Sequence, residues 1–71
     1  MSKIIVNASG VSQDVFVWLK MANDGHYYIE RMKSTGGASD KFPVSAEFAA
    51  KVQKMSVEDA WVAMEKFVGV V

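Results

Sequence analysis

Catalysis of the Ser-His-Asp kind needs a histidine, and this chain holds one, His26. It follows Ala22-Asn23-Asp24-Gly25, a run that turns the chain, with Asp24 two residues away. That is the setting of a solvent-exposed turn histidine near Asp24. No G-x-S-x-G elbow presents a serine to it. Cysteine is absent, which removes thiolate nucleophiles, disulfides and thiolate metal sites together. One histidine also rules out a multi-His metal centre. Glu58 and Asp59 are adjacent acids, but they follow Ser56 at a helix start, where capping accounts for them. Glu30 stands mid-strand opposite Trp18, an ordinary cross-strand position. The Gly36-Gly37 pair lacks the spacing and lysine of a phosphate-binding loop. The residues therefore point to no catalytic, cofactor or metal site, and a non-enzyme is expected.

Binding chemistry is better represented. Phe16, Trp18 and Lys20 alternate along one segment, and Tyr28, Glu30 and Met32 alternate along the next. Aromatic, Met and Arg side chains are enriched in protein interfaces. The expected partner-binding set is Phe16, Trp18, Lys20, Tyr28, Glu30, Arg31 and Met32, with Arg31 at the rim. The alternative is a single-stranded nucleic-acid binder that stacks bases on Trp18 and Tyr28 and holds phosphates with Lys20 and Arg31. Residues 1–41 hold five basic and four acidic side chains, little net charge with which to neutralise phosphate.

These side chains need elements to position them. Lys3–Asn7 is a β-branched run suited to a strand. Val15–Met21 reads V-F-V-W-L-K-M, with Val15, Val17, Leu19 and Met21 on one face and Phe16, Trp18 and Lys20 on the other. Asn23-Asp24-Gly25 fits a three-residue hairpin loop with Gly25 in the left-handed region. His26–Lys33 is the return strand. That loop sets Met21 against Tyr27 and Leu19 against Ile29. It also sets Phe16 against Met32, Trp18 against Glu30 and Lys20 against Tyr28. A loop one residue longer or shorter would exchange the faces. Ser34–Lys41, with two glycines and no apolar period, reads as a mobile loop. Pro43 delays any helix until after it. Ser45 caps a first helix carrying Phe48, Val52 and Met55. Ser56 caps a second, whose apolar stripe is Val57, Ala60, Trp61, Met64, Phe67 and Val68. Gly69 is its stop.

The chain has 71 residues, 51% hydrophobic, with eight basic and eight acidic side chains. A chain this short buries only about 60% of its unfolded surface, so one small domain spanning 1–71 is expected. The fold class is α+β: a three-stranded antiparallel sheet in β-β-β-α-α order, with both helices packed on one face. Both helices are then spent on the Val17 face, and the Phe16–Trp18 face has no cover unless the N-terminal strand, Val70-Val71 or a helix supplies it. Zero net charge provides no field for an anionic membrane. The apolar run at Ile4-Ile5-Val6 is far below the 7–15 residues, roughly, of a signal-peptide core. A cytoplasmic setting is expected, the host cytoplasm if the source is viral. The expected function is a small regulatory or inhibitory accessory protein that docks on a larger protein. A homo-oligomer built on the same face, such as a homodimer, is the structural alternative.

Overall fold

The structure, a computed structural model, describes residues 2–69. Four strands precede two helices: β1 (Lys3–Asn7), β2 (Val15–Met21), β3 (Tyr27–Lys33), β4 (Asp40–Val44), α1 (Ala46–Gln53) and α2 (Val57–Phe67). The strands form one antiparallel meander in the order β1-β2-β3-β4. The α+β class and the two C-terminal helices are as expected, but the sheet has four strands, not three.

The β2–β3 hairpin adopts the expected register. Phe16 pairs with Met32, Trp18 with Glu30, Leu19 with Ile29, Lys20 with Tyr28 and Met21 with Tyr27. The Ala22 N–H donates to the His26 carbonyl at 2.8 Å, closing a three-residue loop. Gly25 stands at φ +88°, where a side chain would be strained. The register aligns Val17, Leu19 and Ile29 on one face, and all three are fully buried.

The fourth strand corrects the reading of residues 34–41 as loop throughout. Asp40, Phe42 and Val44 pair with Arg31, Ile29 and Tyr27. Proline lacks a donor and is tolerated on a sheet edge, and Pro43 lies in such an edge strand, paired with Tyr28. Phe42 and Val44 pack against the core. The other edge, β1, carries a register shift between Ile4 and Val6.

The helices cover one face of the sheet. Ala49 and Val52 from α1, and Ala60 and Met64 from α2, complete the core with Val17, Leu19, Ile29 and Ala8. Each helix starts at a capping serine. Ser45 Oγ accepts from the Phe48 N–H at 3.1 Å, and Ser56 Oγ from the Asp59 N–H at 3.3 Å. The stripe on α2 is narrower than expected: Val57 is 41% and Phe67 47% exposed. Phe67 instead meets Phe48, with ring centroids 4.9 Å apart. Met55 falls beyond α1 and is exposed.

The sequence reading missed Glu65, which is 1% exposed. Both of its carboxylate oxygens accept from Arg31 Nε, at 3.1 and 3.3 Å. An ionised carboxylate is costly to bury without a partner, and Arg31 supplies one from the sheet beneath. The pair bolts α2 to β3 across the two layers.

Candidate interaction surface on the open sheet face

Alternation along the strands sends every second side chain away from the helices. On β2 these are Phe16, Trp18 and Lys20; on β3 they are Tyr28, Glu30 and Met32. The pairings bring Ile4 and Asn7 in from β1 and Lys41 and Pro43 from β4. The upper row across the sheet is therefore Ile4, Lys20, Tyr28, Pro43, the middle row Asn7, Trp18, Glu30, Lys41, and the lower row Phe16, Met32. No described helix lies over this face. Val70-Val71, one candidate cover, fall outside the described residues.

The surface is pre-arranged by contacts among its own members. Phe16 and Trp18 tilt against each other at 6.1 Å between centroids and 52° between planes. Lys20 Nζ reaches diagonally to Glu30 Oε1 at 2.8 Å, and lies 5.3 Å from the centroid of Trp18. Lys41 Nζ lies 5.9 Å from the centroid of Tyr28. The Lys20 and Glu30 side chains are only 18% and 16% exposed, so they lie along the sheet rather than extend into water. The hydrogen bond from Lys20 holds the Glu30 carboxyl below its ordinary value. Burial opposes that shift, while Ser39 and the charges of Lys20 and Lys41 reinforce it. The result is a flat mosaic of rings and cations with one carboxylate at its centre.

Six of the seven expected binding residues meet here: Phe16, Trp18, Lys20, Tyr28, Glu30 and Met32. Arg31 does not. It shares a pleat with Ile29, faces α2 and is held by Glu65. The signal was available, because Arg31 is one residue out of phase with Glu30 and Met32 on the same strand. Lys41 joins the surface in its place, on a strand that a loop over residues 34–41 does not provide.

The other chemistry-bearing residues are dispersed. His26 Nδ1 contacts Asp24 Oδ2 at 2.8 Å, with the two side chains 85% and 64% exposed at the hairpin tip. The hydrogen bond from His26 lowers the pKa of Asp24. The Gly36 N–H donates to the Lys33 carbonyl at 3.0 Å and is thereby engaged within its own turn. Among the described residues, no three His, Asp or Glu side chains gather as metal ligands would. No described helix is long and apolar enough to cross a membrane. Comparison with protein-family models, with curated proteins and with solved structures finds no match to this chain.

Proposed function

We propose that this chain is a small non-catalytic protein-binding module. Specifically, it would be a regulatory or inhibitory accessory protein that docks on a larger protein through the open sheet face. One observation carries the reading: both helices pack on the Val17–Leu19–Ile29 face, while Phe16, Trp18, Tyr28 and Met32 gather on the face the helices leave bare. Contiguous apolar surface of this kind marks interaction sites. Its side chains are already fixed by mutual contacts, so covering them costs less ordering entropy than immobilising free ones.

The edges of the sheet support a face over an edge as the docking element. Pro43 interrupts the donor row of β4, and a bulge interrupts β1; both devices discourage strand addition. The nucleic-acid alternative is weaker on this geometry. Arg31 is withdrawn to Glu65, and Lys20 is paired to Glu30. The indole is already flanked by Lys20, so a base would have to displace a cation to stack there.

The test is capture from lysate by the intact chain, compared with a Phe16→Ala/Trp18→Ala variant shown to be folded by circular dichroism. The reading expects a protein retained by the first and lost by the second. Equal retention by both would place recognition elsewhere. Salt-dependent binding of labelled single strands would favour the nucleic-acid alternative.

A further inference from the structure

We propose that, in the absence of its target, the open sheet face pairs with the same face of a second copy, forming a two-fold dimer. The inference rests on the docking reading and names one occupant of that face.

Three observations carry it. The first is the charge pattern. Consider a two-fold axis parallel to the strands and midway between β2 and β3. It sets Phe16 on Met32 of the second copy, Trp18 on Glu30 and Lys20 on Tyr28, following the rows of the sheet. It also sets Lys41 on Asn7. No like charges meet, and the indole N–H gains a carboxylate acceptor. A perpendicular in-plane axis along the Trp18–Glu30 row instead drives Glu30 against Glu30 of the second copy. The face is thus self-complementary about the first axis, as an isologous interface requires. The second observation is size. The face spans four strands of five to seven residues, each rising about 3.3 Å per residue and lying about 4.8 Å from its neighbour. In projection that is roughly 400 Å², the scale of the smaller, reversible interfaces rather than of permanent ones. Sheets also pack face to face in nearly aligned orientation. The third is the zero formal net charge, which opposes no second copy electrostatically. A dimer of this kind would be autoinhibitory, since it covers the surface the target must reach.

Sedimentation velocity from low-micromolar to near-millimolar concentration tests the proposal. The wild-type chain is expected to pass from monomer to dimer. Met32→Glu, which places a charge against Phe16 of the second copy, should weaken the dimer by about tenfold or more, and Phe16→Arg should do the same. An equimolar mixture of these two variants should recover dimer, because the new Arg and Glu then face each other across the axis. Quenching of Trp18 fluorescence by iodide, read in a Trp61→Phe chain, should fall as concentration rises, and this readout leaves the sheet unaltered. A monomer at every concentration overturns the proposal, as does a mixture that stays monomeric. A dimer dissolved by Phe67→Asp on the helix side, but not by Met32→Glu, overturns it too. None of these three outcomes touches the docking reading, which the capture comparison decides separately.

Discussion

Arg31 and Glu30 are sequence neighbours with opposite assignments. Glu30 faces solvent-side partners and Lys20; Arg31 faces inward to a carboxylate that is 2% exposed. Removing one member of such a pair strands the other. Arg31→Ala is expected to cost about 3 kcal/mol in urea unfolding. The double replacement Arg31→Met/Glu65→Leu should cost clearly less than the two single changes added together, since it leaves no orphan charge. A cost equal to the sum would show that the pair acts as two independent residues. Neither role was evident from residue type alone, because charged side chains are ordinarily solvated. Spacing did hold the information: Glu65 lies four residues after Trp61 and three before Val68, inside the apolar arc of α2. Glu30 offers a second test. Its carboxyl is held below the ordinary value of about 4.5, so its contribution to stability is complete above that value and is lost as the pH falls below it. Glu30→Gln should therefore flatten the acid limb of the stability–pH curve and leave the neutral region nearly parallel to wild type. An unchanged acid limb would contradict the Lys20–Glu30 coupling.

At the scale of elements, the hairpin was the most legible part of the chain. A loop of three residues ending in Gly25, flanked by alternating apolar side chains, leaves one register that joins Leu19 to Ile29. The helix starts were legible for a similar reason: a serine ahead of an apolar stripe has one inexpensive use. Ser56→Ala should lower stability by about 1 kcal/mol in thermal or urea unfolding, and an unaffected midpoint would remove the capping role. Gly25→Ala should cost a similar amount, about 1 kcal/mol, because a Cβ is strained at φ +88°. β4 was illegible because its five residues include Pro43 and follow a glycine-rich stretch, so neither alternation nor propensity rises above the loop background. It exists because Phe42 and Val44 find the core and because β3 offers them an open edge. Tertiary packing overrides local propensity there.

The whole molecule is a sheet with one face spent on folding and the other left over. Zero net charge, a small core and blunted edges leave that second face as the surface on which the proposed docking rests. Adjacent residues on β2 separate the two roles. Leu19 is fully buried beneath the helices, whereas Trp18 lies on the far side of the same strand beside Phe16 and Lys20. The most direct test is the unfolding free energy of Leu19→Ala against that of Trp18→Ala, measured at low micromolar concentration where self-pairing is absent. Truncating a core leucine costs about 2–5 kcal/mol, and Leu19→Ala should fall in that range. Trp18→Ala should lose only about 1 kcal/mol, the scale of its ring and cation contacts. Equal losses of about 3–5 kcal/mol at both positions would make Trp18 part of the folding core and contradict the assignment of its face to a partner.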